Sequence, residues 1–352
     1  MTTTLERAST ETKLMLVSAD SHVTEPPTLW EERLPADLRD RAPKFPVRTA
    51  EEESRFHKGG WIGSERLKEM DQDGVSAEVF YGGLAGRFLA LDEADMQEAG
   101  CRVYNDWLLE YCSADPRRLI GIPQIPLYNI DWAIAELERC KKNGLVGSAV
   151  WLVPHPDLPF HSPHYEKFWA ASEEMDMPVT VHLGTGFGYN RDRSAKHGME
   201  HYRQNVNIKI LQFETALFDV LFSGALERYP RLKFVLAEPE IGWAPFVLQM
   251  WDYHYQRFHR VDPLPIKEKP SFYFDRQVYV SFINDPAGAK HLDTWGENSA
   301  MWSSDFPHPP SKWPNSRQLV KQQLGHVPED RLRKILSENV IRCYGLKQPN
   351  PA

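Results

Sequence analysis

The chain is poor in several things that would assign it to a special class. Among 352 residues there are four cysteines, Cys101, Cys112, Cys140 and Cys343, with no C-x-x-C spacing. Cys101 and Cys112 lie in a helical pattern where eleven residues mean ~16 Å of rise, too far for a disulfide, which needs Cα atoms under ~7 Å apart. No run reaches the ~18 uninterrupted apolar residues of a membrane span. The opening MTTTLERASTETK holds no apolar block of the kind a secretory signal needs. A cytoplasmic protein without a membrane partner is therefore expected. Basic residues are also in deficit: 41 Lys and Arg stand against 49 Asp and Glu, a net charge of −8. Without a basic stripe the chain lacks the footprint of a phosphate-backbone binder, which excludes nucleic acid as a partner and points to a small-molecule substrate. There is no fixed-period repeat and no low-complexity tract. A content of 41% hydrophobic and 26% charged residues excludes disorder.

What the chain has is alternation. Eight short apolar runs stand at LMLVSAD (14–20), SAEVFYGG (76–83), RLIGIPQIP (118–126), GSAVWLVP (147–154), PVTVHLGTG (178–186), LKFVLAEPE (232–240), QVYVSFIND (277–285) and NSAMWSSD (298–305). Near-continuous apolar runs of this length are those of strands buried on both faces of a parallel sheet. Amphipathic segments long enough for return helices lie between them: Asp92–Ser113, Asp131–Lys142, Ser162–Met175, Val206–Arg228, Trp243–Phe258 and Pro328–Tyr344. The pattern predicts an α/β fold, a single (β/α)₈ barrel over 14–345, between a flexible segment 1–13 and a tail 346–352; an open doubly wound sheet is the alternative. The stretches 25–46 and 183–205 exceed ordinary connections and are expected to wall a pocket.

In such a barrel the C-terminal strand ends form the active face. The ionisable residues there are Asp20 and His22 after the first strand, His182 in the fifth, Glu238 at the sixth and Asp305 at the eighth. Asp20 and His22 are two apart in an extended segment, so they point the same way and can grip one ion. With His182 and Asp305 they make a mixed nitrogen and oxygen set suited to zinc, manganese or iron. Taken singly, Asp20 is equally explained as a turn residue and His22 as a hydrogen-bonded loop histidine; the joint pattern argues for a metal.

The segments DSHVTEP (20–26), RLKEMDQDGVSAEV (66–79), NDWLLEYCSADPRRLIGIPQIPL (105–127), PVTVHLGTG, GALERYPRLKFVLAE (224–238) and WSSDFPHPPSKWPNS (302–316) together resemble the decarboxylase-related branch of the amidohydrolase superfamily. That branch contains the aminocarboxymuconate-semialdehyde and resorcylate decarboxylases. The resemblance implies a barrel and a metal held by an H-x-H or E-x-H pair, a strand-five histidine and a strand-eight aspartate. Those positions fall on Asp20, His22, His182 and Asp305, and the aspartate would serve as both ligand and proton shuttle. It implies a hydrolase or carboxy-lyase acting on a small carboxylated or ring-containing substrate.

Two positions depart from the branch, and the first is Asp20, which stands in for the first member of the H-x-H or E-x-H pair. Where its decarboxylases have a histidine after strand six, this chain has Ala237-Glu238-Pro239-Glu240. Glu238 can act as a base or as a further hard ligand. An oxygen-rich site could hold one iron or two, so a non-heme iron oxygenase is the competing expectation. A metal-stabilised binding protein without turnover is the third. His201 in the fifth loop is the first of the spare imidazoles, ahead of His57 and His308. Arg191 and Arg193 are candidates to fork onto a substrate carboxylate. Trp151, Phe187, Tyr189, Trp302 and Phe306, near strand ends, are candidates for the pocket wall. Homo-oligomerisation through barrel helices is compatible with eleven tryptophans, but no interface is legible.

Overall fold

Each of the eight apolar runs becomes a strand. The computed structural model describes residues 14–47, 49–53, 55–188, 198–199 and 208–349. Its strands are β1 (Val17–His22), β2 (Ala77–Tyr81), β3 (Leu119–Gly121), β4 (Ser148–Val150), β5 (Val179–His182), β6 (Phe234–Ala237), β7 (Val278–Phe282) and β8 (Ala300–Trp302). All neighbours pair in parallel, as β1-β2-β3 and as β4-β5-β6-β7-β8. Two seams join these sheets into one ring. Ile125 N donates to Ala149 O (2.9 Å) and Ala149 N to Pro123 O (2.8 Å), linking the chain after β3 to β4. Asp305 N donates to Asp20 O (2.9 Å) and His22 N to Phe306 O (2.9 Å), linking the chain after β8 to β1. Closure leaves no free edge and gives the expected (β/α)₈ barrel.

Return helices follow the strands at Ala94–Cys112, Ile130–Lys142, Glu166–Glu174, Ile208–Phe222 and Ala244–Phe258. Helices Gly63–Asp73, Pro270–Gln277 and Ser316–Leu324 join those expected from the sequence. The segment expected as one helix over Pro328–Tyr344 is three consecutive turns, Glu329–Arg333, Lys334–Glu338 and Asn339–Tyr344, the middle one wound as a π-helix. Among the described residues no helix is long and apolar enough to cross a membrane.

The period of two along each strand decides which residues reach the barrel interior. Val235, Ala237, Tyr279 and Met301 pack together inside, with Val17, Ala19, Ala77 and Val79. Their neighbours Phe234, Leu236, Val278, Val280, Ala300 and Trp302 pack outward against the helices. The C-terminal helix plugs the barrel. Tyr344 extends from it to meet the Tyr81 hydroxyl (2.9 Å) and the Thr180 hydroxyl (3.4 Å). The tyrosine pair forms a floor, and the Tyr81 ring lies 4.8 Å from that of His182. The N-terminal segment 1–13 and the candidates Tyr189, Arg191, Arg193 and His201 lie outside the described residues.

Candidate metal centre

Asp20, His22, His182 and Asp305 converge at the C-terminal mouth of the barrel. The register of β1 against β2 shifts between Ser18 and Ser21, and an irregularity of this kind re-aims side chains. Ser18 and Ser21, three apart, hydrogen-bond to each other (3.0 Å), and both reach the Ser304 hydroxyl after β8 (3.2 and 3.1 Å). Asp20 and His22 point together toward the strand-five histidine. His182 is the last residue of β5 and is two residues from Thr180, which also reaches inward. Asp305 follows β8 with φ +51, and Glu238 follows β6 with φ +75. Left-handed backbone is uncommon outside glycine and gathers at functional sites. The turn after β6 is held by Asp285, whose carboxylate accepts Ile241 N–H (2.9 Å) and Gly242 N–H (2.6 Å).

The distances are those of one cluster. His22 Nε2 lies 3.4 Å from Asp20 Oδ1 and 3.3 Å from Asp305 Oδ1, and His182 Nε2 lies 3.4 Å from Asp20 Oδ1. His182 Nδ1 meets its neighbour's carbonyl, Leu183 O, at 2.8 Å. This contact makes Nδ1 the donor and leaves Nε2 facing Asp20, whose charge raises the His182 pKa against burial; Nε2 becomes a ligand atom once its proton leaves. His308, counted only as a spare imidazole in the sequence, also joins. Its Nδ1 is 2.9 Å from Asp305 Oδ1, and its ring stacks on His22 with centroids 3.9 Å apart.

Burial alone would raise the Asp20 carboxyl. Attraction to His182 and His22 outweighs it and holds Asp20 well below the usual carboxylate range. Burial opposes charge on His22, yet contacts with Asp20 and Asp305 push its pKa up to about 10. Asp305 is lowered against its own burial by His22 and His308. His308 is lowered by the His22 charge and then by burial. A cationic His22 thus sits between two buried carboxylates, a position that suits a metal cation once the proton leaves.

The residues fit a divalent ion. Asp20 Oδ2, Asp305 Oδ2 and both ring nitrogens of His22 are buried without a hydrogen-bond partner. An unsatisfied buried polar group costs about 1–3 kcal/mol, so these atoms, gathered at one place, fit a cation. Donor atoms of Asp20, His22 and His182 lie within 4.8 Å of one another, as do those of His22, Asp305 and His308. Glu238 lines the same cavity but belongs to neither group among the described residues.

The cavity above the donors measures about 970 Å³. Among the described residues its wall differs from the substrate contacts expected from the sequence. Trp151 and Trp302 are buried in the core between barrel and helices, because Trp302 shares the outward parity of Ala300 and the Trp151 ring packs on Tyr128. Phe187 packs edge-on against His155. None of the three lines the cavity, and Phe306 packs on Arg66 and Trp313. The wall instead carries Arg41, Lys44 and Arg87. They come from the chain after β1 and the turn after β2, and nothing local in the sequence distinguishes them from surface cations.

Arg66 ties the donor-bearing segments together. It is fully buried, donates from Nε to Glu78 Oε2 (2.5 Å), from Nη1 to His22 O (3.2 Å) and from Nη2 to Phe306 O (2.8 Å), and lies between the Phe80 and Phe306 rings. Removing one partner of a buried ion pair costs about 3–5 kcal/mol. Arg66→Met is therefore expected to lower stability by about that amount in urea unfolding. The double variant with Glu78→Gln is expected to recover part of the loss, and no recovery would show that the pair is not the cause.

A gamma-resorcylate decarboxylase of Rhodococcus jostii (strain RHA1) is 26% identical over 255 residues, covering 69% of this chain and 76% of that protein. The crystal structure of 5-carboxyvanillate decarboxylase from Sphingomonas paucimobilis superposes with a TM-score of 0.74 at 22% identity, covering 95% of this chain and 100% of that one. A dihydroxybenzoic acid decarboxylase from Polaromonas sp. JS666, solved with bound manganese and the inhibitor 2-nitroresorcinol, gives 0.67 at 17% identity, covering 95% and 98%. These structural likenesses carry the fold. The amidohydrolase family model matches residues 19–346, a span that includes every donor described above, and the chain belongs to the amidohydrolase family.

Proposed function

We propose that the protein is a metal-dependent carboxy-lyase acting on a small carboxylic acid with a ring or conjugated system. The observation that carries this reading is the buried donor set Asp20, His22, His182 and Asp305, with its unpartnered atoms, at the floor of a cavity of about 970 Å³. Such a volume suits a small organic ligand. The relatives are named as decarboxylases, one of them with manganese. This favours loss of a carboxyl group over the hydrolysis that the same residue types could serve.

Asp20, His22, His182 and Asp305 would hold the ion. When bound, a divalent ion supplies Lewis acidity toward a substrate oxygen. Asp305 keeps one oxygen on His308 and has the other to receive a proton and pass it to the carbon that loses its carboxyl group. Glu238, on the cavity wall, orients the substrate or assists. The two donor groups share His22, which supports one ion. A carboxylate-bridged iron pair would need Glu238 among the donors.

The test is carbon dioxide release from a panel of hydroxybenzoic and unsaturated dicarboxylic acids, with protein reconstituted with manganese or zinc. Release from at least one acid, abolished by a chelator and restored by metal, is expected. Turnover indifferent to chelation would overturn the reading, and oxygen uptake matching turnover would replace it with the oxygenase.

A further inference from the structure

The cavity has one wall built to receive negative charge. Arg41 and Lys44 on it are already engaged: Arg41 bonds both oxygens of Asp95 (2.7 and 3.1 Å), and Lys44 Nζ donates to Arg39 O (2.9 Å). Arg87 differs. Among the described residues no carboxylate pairs with it, and its guanidinium lies over the Phe45 ring, 5.5 Å from the centroid. A guanidinium held on an aromatic face keeps its donor edge available.

The turn that carries Arg87, Ala85–Ala90, is fixed from beneath. The Glu25 carboxylate is fully buried and accepts the N–H groups of Gly83 (3.2 Å), Leu84 (2.9 Å) and Ala85 (3.1 Å). Gly82, Gly83 and Gly86, with Leu84 among them, form the adjoining wall. A Cβ at Gly83 would come within 3.1 Å of Val23 O, whereas at Gly86 it would meet only Thr185 Cγ2, at 3.7 Å. The backbone beneath the cation is thus fixed, and Arg87 lines the same cavity as His22 and His182.

We propose that Arg87 receives a second carboxylate of the substrate, one remote from the group that meets the metal donors, so that the enzyme selects dicarboxylic acids. The proposal rests on the carboxy-lyase reading for the first carboxylate. A charge-assisted fork corresponds to about a 10- to 100-fold gain in affinity.

The test uses benzoate, isophthalate and terephthalate as probes of the manganese-reconstituted protein, with Kd measured by calorimetry. At least one dicarboxylate is expected to bind tenfold or more tighter than benzoate. Arg87→Met keeps the stem over Phe45 and removes the charge. It is expected to erase that advantage while moving the benzoate Kd by less than threefold, and Arg87→Lys to keep part of it. Equal affinity for all three probes, or an equal loss of benzoate in Arg87→Met, would overturn the proposal and leave the carboxy-lyase reading intact. Dicarboxylate binding that depends on Arg87 but not on manganese would do the reverse. Failure of every probe to bind would overturn both.

Discussion

Asparagine in place of Asp305 is expected to cut turnover by roughly 10²- to 10⁴-fold, the range that a positioned proton-transfer group contributes. The substitution is nearly silent for the backbone. Asp305 sits at φ +51, and asparagine is among the few residues that tolerate left-handed backbone. Alanine there would add roughly 1–2 kcal/mol of strain and confuse chemistry with folding. The amide oxygen can still accept from His308 Nδ1, replacing the 2.9 Å contact, so the imidazole keeps its place. What is lost is the negative charge and the ability to carry a proton. Steady-state kinetics on the substrate found by carbon dioxide release, with circular dichroism to verify folding, checks this. Turnover within threefold of the parent would remove Asp305 from the proton path.

The second large effect belongs to His22→Ala. In the metal-free protein His22 is the cation between Asp20 and Asp305, at 3.4 and 3.3 Å, and all three are buried. Removing it leaves two buried carboxylates short of a partner, an expected loss of about 3–5 kcal/mol by urea unfolding of the metal-free variant. Added metal is expected to stabilise the parent but not the variant, because a ligand stabilises only the state that binds it. Metal stabilisation of the variant equal to that of the parent would exclude His22 as a ligand.

The fold was legible because a parallel barrel writes itself as eight apolar runs, each ending in a polar mouth. The convergence of Asp20, His22, His182 and Asp305 was legible for the same reason, since each stands at or just past a strand end. Trp151 and Trp302, expected at the pocket wall, pack in the core, because proximity to a strand end does not fix orientation. Trp302, two residues from outward-facing Ala300, packs with it against the helices. His308 could have been found from its position three residues after Asp305, where a turn returns the side chain to the carboxylate. Arg41, Arg87 and Arg66 carry no local signal. Arg66 acts through the carbonyls of His22 and Phe306, the second of them 240 residues from Arg66 along the chain, a juxtaposition that exists only once the barrel closes.

Calorimetric titration of the metal-stripped protein with zinc, in buffers of different ionisation enthalpy, tests the single-ion centre most directly. His22, with its pKa pushed up to about 10, is protonated at pH 7.5 without metal and must be neutral to act as a ligand. Loading should therefore release at least one proton per ion, and affinity should tighten as pH rises toward 10. One zinc per chain with that release, both lost in His22→Ala, is the expected result. Binding of no ion, of two ions per chain, or of one ion without proton release would contradict a centre built from Asp20, His22, His182 and Asp305.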